Sequence, residues 1–479
     1  MEMSGLKFGT SGLRGLVVEL DVGVCAAYTT AFLKHIAVLD GERSSGRLLV
    51  GYDLRASSPQ IAMACIAAAK TFGMTIENCG PLPTPALALR AIALKAPAIM
   101  VTGSHIPADR NGLKFYRPDG EIDKADEAGI LSFLGVERPP VEVPEHVEIV
   151  GHALEAYGAR LDGLLGAGAL QGWRIGVYQH SSVARDLLVD ILTRAGAEVI
   201  ALGRSDIFVP VDTEALRPED IAFAEEASTM HRLDALVSTD GDADRPLIAD
   251  ENGHFLRGDT VGLITARFLG ADAVVTPVTS NTATELCDMF KKVYRTKVGS
   301  PYVIEGMLSA CNDDFQRVVG FEANGGVLLG SSLAISGGQL AALPTRDAIL
   351  PILSVLGMAA KEDMTVSALR RTVPQRFTCS GRIEHVSTET SAPFLQRLLD
   401  VDQRRGFFAE LGTILDCDNI DGIRVKLSNA EVIHYRASGN APELRCYAEA
   451  ASEQRSAQIL QWGLRRAENL LRAKEIGHE

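Results

Sequence analysis

The sequence predicts an α/β protein built from three related units and a fourth segment of different character, on three observations. Apolar runs that read as buried strands alternate with stretches of helical periodicity, which implies parallel pairing. Glycine is abundant, at 45 residues, while aromatics are only 6%, a balance suited to layered α/β structure with many tight turns. Three of the apolar runs also end abruptly in polar, glycine-rich loops. At 479 residues, 46% of them hydrophobic, the chain is too long for one core and three or four domains are expected.

The first unit opens with Phe8-Gly9-Thr10-Ser11-Gly12-Leu13-Arg14-Gly15, a loop whose backbone amides can approach an anion closely; a plain turn between strands is the alternative. Helical periodicity covers 22–39, and 47–52 reads as a short buried strand running into Asp53-Leu54-Arg55. An Ala-rich helix follows, then the break at 80–85, a helix over 86–94 and a strand over 98–101. That strand gives way to Thr102-Gly103-Ser104-His105-Ile106-Pro107, followed by Asn111-Gly112-Leu113-Lys114. A hydroxyl, an imidazole and an ammonium thus fall together at a strand's end, a frequent place for α/β active sites. Ser104 reads as the nucleophile, with His105 and Lys114 to supply charge or move protons. Pro and Glu residues at 137–144 make a linker.

The second unit predicts helices over 153–165, 183–195 and 218–231 and strands over 174–178, 199–202 and 235–237. Its last strand ends in Asp240-Gly241-Asp242-Ala243-Asp244-Arg245. Aspartates at alternate positions, separated by small residues, let one loop turn three carboxylates to a common point, and hard oxygen donors in that number suit Mg²⁺. The glycine and the twelfth-position glutamate of a calcium-binding EF-hand do not follow in register, and a solvated acidic turn is the remaining alternative.

In the third unit, helices over 261–269 and 282–290, a strand over 273–277 and a helix from Tyr302 lead to Phe321-Glu322-Ala323-Asn324-Gly325-Gly326. A carboxylate and an amide there match sugar hydroxyls, which both donate and accept. The last segment alternates like half-exposed strands over 421–427 and 444–449, and a helix over 453–474 closes the chain. Between those strands, Arg436, Ser438, Gly439, Asn440 and Arg445 offer guanidinium, hydroxyl, amide and backbone donors for one phosphate.

A formal net charge of −14, without long runs of one sign, argues against nucleic acid and anionic membranes as partners. Eight cysteines far apart, with no zinc-ligand spacing, read as reduced core residues. No basic head with a long apolar run stands at the N-terminus, and no uninterrupted apolar stretch reaches about 18 residues, so the cytoplasm is the expected compartment.

Taken in order, the five loops resemble those of the α-D-phosphohexomutase family, most closely a bacterial phosphomannomutase subgroup. The resemblance rests on residues 9–15, 102–114, 240–245, 321–326 and 436–445 and covers nearly the whole chain. It implies four domains around a central cleft: three related α/β domains with mixed sheets, over 1–148, 149–253 and 254–368, and a C-terminal α+β domain with an antiparallel sheet over 369–479. It further implies that Ser104 is phosphorylated, that Asp240, Asp242 and Asp244 bind Mg²⁺ with that phosphate, and that Arg14, Arg245, His105 and Lys114 are catalytic. Glu322 and Asn324 would then recognise the sugar, and Arg436, Ser438, Gly439, Asn440 and Arg445 the distal phosphate. The implied reaction interconverts hexose 6-phosphate and hexose 1-phosphate through a hexose 1,6-bisphosphate, with Lys114 exchanging a proton with the sugar hydroxyl. Mannose is the favoured sugar; glucose and amino-sugar phosphates, a non-catalytic sugar-phosphate binding protein and a phosphoserine phosphatase are the alternatives. A monomer or weak homo-oligomer is expected. Gly103 and Ile106 stand where Ala and Asn are usual in the family, and Ala437, Asn440 and Ala441 where Pro, Thr and Glu are common.

Overall fold

Runs such as Ala98–Val101, Ala235–Thr239 and Val318–Phe321 are buried along their whole length, as strands covered by helices on both faces must be. The structure, a computed structural model, describes residues 5–9, 12–40, 45–135, 141–335, 337–438 and 442–475. Each of the first three units repeats one topology. Arg47–Tyr52 lies between Thr75–Pro81 and Ala98–Val101, all parallel, and Arg110–Arg117 then joins antiparallel. In the second unit Arg174–His180 lies between Glu198–Arg204 and Ala235–Thr239, with Pro246–Ala249 antiparallel at the edge. The third has Ala273–Pro277 between Lys292–Thr296 and Val318–Phe321, with Val327–Leu329 antiparallel. The three polar loops therefore occupy one topological position, the connection from the last parallel strand into an antiparallel neighbour. The fourth unit is a five-stranded antiparallel sheet in the order Phe377–Glu384, Glu443–Ala450, Val432–Ala437, Ile423–Leu427, Ile414–Asp418.

One apolar core runs from Leu49 to Val373 and joins the first three units, with Ile349–Lys361 nearly sealed inside it. Helix Val22–Asp40 contains an 18-residue window apolar enough to span a bilayer, but Ala26, Phe32, Leu33 and Ile36 are buried within the first unit. The fourth unit has a core of its own, around Phe394, Phe408 and Tyr435.

Local expectations need three corrections. The helix expected over 282–290 is only Ala283–Leu286, followed by strand Lys292–Thr296. The helix expected over 153–165 stops at Leu161. Arg436 and Arg445 stand on strands Val432–Ala437 and Glu443–Ala450, so the loop between them is shorter than the sequence suggested.

Candidate active site

Ser104 turns the chain out of Ala98–Val101 in a left-handed conformation, φ 53°, uncommon for a residue with a Cβ. Its backbone N–H donates to Thr102 Oγ1 (2.8 Å), whose hydroxyl donates to Asp53 Oδ2 (2.7 Å). The Ser104 hydroxyl is buried, donates to Asp240 Oδ2 (2.6 Å) and lies 3.3 Å from His105 Nδ1. Serine loop and aspartate loop thus meet at the Ser104 hydroxyl, though they come from different units.

Asp240, Asp242 and Asp244 are buried and present carboxylate oxygens within 4.8 Å of one another. Asp240 Oδ1 accepts from the backbone N–H of Asp244 (3.1 Å) and of Arg245 (3.2 Å), which folds the loop back on itself. Asp242 Oδ2 accepts from Thr84 Oγ1 (2.5 Å) and Lys114 Nζ (2.6 Å), and Asp244 Oδ2 from Lys114 Nζ and Arg346 Nη2 (both 2.7 Å). Among the described residues, Asp242 Oδ1 and Asp244 Oδ1 are buried without a hydrogen-bond partner. Two orphaned carboxylate oxygens in a converging set of three hard donors fit a divalent cation such as Mg²⁺.

Burial and neighbouring charges set the ionisation of each group. Burial, then the neighbouring Asp242 and Asp244, push Asp240 well above the usual carboxylate range. Burial opposes the charged form of Asp244 as well, but Arg346, Lys114 and Arg245 hold it well below that range. The same carboxylates raise Lys114 against its burial. Among the cations, burial and then the guanidinium groups of Arg245 and Arg346 lower Arg14 to about 10. Burial, then Arg245 and Arg14, keep His105 far below the ordinary histidine value and therefore neutral. His105 thus contributes no positive charge at neutral pH, while Lys114 keeps its proton. Among the described residues, Arg14 Nε and Arg245 Nε have no hydrogen-bond partner, and the nearest carboxylates to Arg245 are 3.7–3.9 Å away. Cations left this loosely paired beside a buried serine suit an incoming dianion.

Glu322 and Asn324 are buried in the third unit's loop. Glu322 Oε2 accepts from Arg346 Nη1 (2.9 Å), and Asn324 Oδ1 accepts from the Gly326 N–H (2.9 Å). Arg346 therefore bridges the aspartate loop and Glu322. In the fourth unit Arg436 faces Arg445 directly across the antiparallel pair, and Arg445 faces Arg382 on its other side. Arg436 Nε is 3.1 Å from Asp421 Oδ2, and Arg445 Nε 3.4 Å from Glu443 Oε2. Ser438 is buried at the end of Val432–Ala437; Gly439 and Asn440 lie outside the described residues.

Sequence reasoning missed Arg346, and noted Thr84, Asp53 and Arg55 without giving them a role. Thr84 lies 158 positions from Asp242 and Arg346 lies 102 from Asp244, so no local spacing marks them. Asp53-Leu54-Arg55 was visible as a motif, but without a task.

Matches to phosphoglucomutase/phosphomannomutase α/β/α domains fall on residues 5–136 (domain I), 163–253 (domain II) and 257–377 (domain III). A phosphomannomutase of Sinorhizobium fredii is 45% identical over 466 residues, covering 96% of this chain and 98% of that one. A phosphomannomutase of Salmonella muenchen is also 45% identical, covering 96% and 95%. In fold, the chain is similar to a crystal structure of a phosphoglucomutase/phosphomannomutase family protein from Burkholderia thailandensis, with a TM-score of 0.77 at 18% identity over 97% of both chains. Near-full-length identity at this level, on a chain whose serine and aspartate loops converge, shows that it belongs to the α-D-phosphohexomutase family.

Proposed function

We propose that the chain interconverts hexose 6-phosphate and hexose 1-phosphate, mannose phosphate foremost, through phospho-Ser104 and a hexose 1,6-bisphosphate. The observation that carries this reading is the buried Ser104 hydroxyl, 2.6 Å from Asp240, whose loop gathers three carboxylates and the loosely paired Arg245. In the first half-reaction the bond from phosphorus to Ser104 Oγ breaks and one to a sugar oxygen forms. After the bisphosphate turns over in the cleft, the reverse transfer of its other phosphate restores phospho-Ser104.

Asp240, Asp242 and Asp244 would hold Mg²⁺, which when bound offsets negative charge on the phosphoryl oxygens. Arg14 and Arg245 steady the transferring group, a task of positioning and charge stabilisation. His105, neutral and beside Ser104 Oγ, orients that oxygen. Lys114 exchanges the sugar hydroxyl's proton only after Asp242 and Asp244 turn away from its ammonium, because their charges hold the proton on. Glu322 and Asn324 bind the sugar, and Arg436, Ser438, Gly439, Asn440 and Arg445 the distal phosphate. We divide the chain at 148, 253 and 368, which leaves the loops at 9–15 and 102–114 in the first unit and one loop of the site in each later unit. The identity to phosphomannomutases supports mannose, and eight free thiols support a reducing, cytoplasmic setting.

The test is a coupled assay on purified protein with Mg²⁺ and a trace of hexose 1,6-bisphosphate, comparing mannose, glucose and glucosamine phosphates beside Ser104→Ala. Fastest turnover on mannose 1-phosphate, lost in the variant, is expected. Another preferred sugar overturns the substrate assignment alone; absence of turnover on all three overturns the reaction.

A further inference from the structure

Beneath the serine loop lies a guanidinium that the reaction scheme does not use. Arg55 is 1% exposed and satisfies every N–H it owns. Nε donates to Asp53 Oδ2 (3.1 Å), Nη1 to the carbonyls of Pro107 (2.7 Å) and Arg110 (3.0 Å), and Nη2 to those of Ser104 (3.0 Å) and Ile106 (2.6 Å). Four backbone acceptors from one loop thus converge on one side chain. Its flat face stacks on the ring of Phe208, 3.9 Å from the centroid, and Phe208 belongs to the second unit. The two loops close tightly on this stack. A Cβ on Gly241 would meet Phe208 Cε2 at 2.9 Å and the Ser104 carbonyl at 3.0 Å, and a Cβ on Gly103 would stand 2.7 Å from Arg55 Cζ. Gly103 is the position where the family resemblance leads one to expect alanine.

We propose that Arg55 is the positioning residue of the serine loop: clamped between four loop carbonyls and the Phe208 ring, it sets where Ser104 stands against Asp240, and Gly103 makes the room it needs. The proposal rests on the mutase reading only for its kinetic consequence. An ammonium cannot replace Arg55, since lysine has three donors and no flat face, while this pocket uses five donors and a stacking plane. The left-handed Ser104 also needs outside support, because that conformation persists only where surrounding contacts over-determine it. Arg55 grips the carbonyl of that very residue, and Asp53 grips its N–H through Thr102.

The experiment compares Arg55→Lys, Phe208→Leu, Gly103→Ala and the double variant Gly103→Ala/Arg55→Lys with the parent, after thermal melts confirm folding. Steady-state turnover of hexose 1-phosphate should show kcat of Arg55→Lys down about 100-fold with KM within about twofold, since a misplacement near 1 Å costs that much in rate. Phe208→Leu should lose about tenfold. The double variant should lose less than the product of the single losses, because both substitutions disturb one contact. A second readout needs no activity: trypsin should cut after the exposed Arg110 faster in Arg55→Lys than in the parent. Unchanged kcat and unchanged cleavage in a folded Arg55→Lys overturn the proposal, and so does strict additivity in the double variant. Should Arg55→Lys fail to fold, Phe208→Leu and Gly103→Ala decide by the same two measurements. A parent without turnover overturns the mutase reading, and the trypsin comparison still decides the positioning role.

Discussion

Around Ser104, Asp242, Asp244 and Glu322 each meet a buried cation from another element, whereas in the fourth unit Arg382, Arg445 and Arg436 stand side by side across three strands. In the first arrangement each of these carboxylates has its cation, while Arg14 and Arg245 beside them stay loosely paired. Like charges directly opposite in a sheet are destabilising; Glu384, Glu443 and Asp421 offset this, and an incoming phosphate would compete with them for the three guanidinium groups. Packing follows the same division. The serine and aspartate loops rest on a core shared by three units, while the fourth unit keeps its own core. Its polar ties to the third unit include Glu449 with Thr282, Arg257 Nη1 with the Thr378 carbonyl and Asp421 with the Val298 N–H. On the proposed reading, the first region is set ahead of the chemistry and the second is completed by the phosphate it would bind.

The sharpest test of that contrast is Asp242→Ala, which should lower kcat by about 10³-fold or more with little change in KM and remove most of the Mg²⁺ response. A rise in KM at unchanged kcat would show that the aspartate face grips substrate rather than serving the chemistry. Next in size is acid stability. His180 in the second unit and His434 in the fourth are each pushed down to about 4 by burial, although backbone carbonyls favour their charged forms. The unfolded chain therefore binds more protons between pH 6.5 and 4, and stability falls as pH drops through that window, by about 3 kcal/mol per histidine. Urea unfolding at pH 7.5 and 4.5 should show His434→Gln removing part of this loss; an identical loss in the variant would exclude His434 as a source.

Arg445→Ala should raise KM about 10–100-fold, the worth of a charge-assisted contact to phosphate, and alter kcat by only a few-fold. A collapse of kcat with KM unchanged would erase the distinction between the two regions. Smallest is Thr84→Val, which removes one hydrogen bond to Asp242 and should cost about 1 kcal/mol in a denaturant melt and less than about tenfold in rate. A loss as large as that of Asp242→Ala would make Thr84 part of the chemistry itself.

What the sequence made legible follows from the distance over which each signal acts. Ser104 and the three aspartates could be found because each group gathers within one strand-to-loop turn, and the repeated topology shows why such turns recur. Arg55, Phe208 and Arg346 acquire meaning only through contacts distant in sequence, some of them across unit boundaries, where neither spacing nor composition reports a contact. The short helix Ala283–Leu286 was overestimated because helical periodicity continues past it, while backbone pairing recruits Lys292–Thr296 into the sheet. The facing of Arg436 and Arg445 was hidden for a similar reason, since it depends on strand register. Sequence order showed two arginines flanking a loop, and pairing set them opposite each other.

The most direct test of the account follows one phosphate. The protein is loaded with hexose 1,6-bisphosphate, freed of excess sugar, and mixed with mannose 6-phosphate and Mg²⁺ while the peptide bearing Ser104 and the sugar products are weighed by mass spectrometry. The account predicts that phosphate leaves the Ser104 peptide and appears in mannose 1,6-bisphosphate; phosphate that stays on the peptide, or emerges as inorganic phosphate, would contradict it.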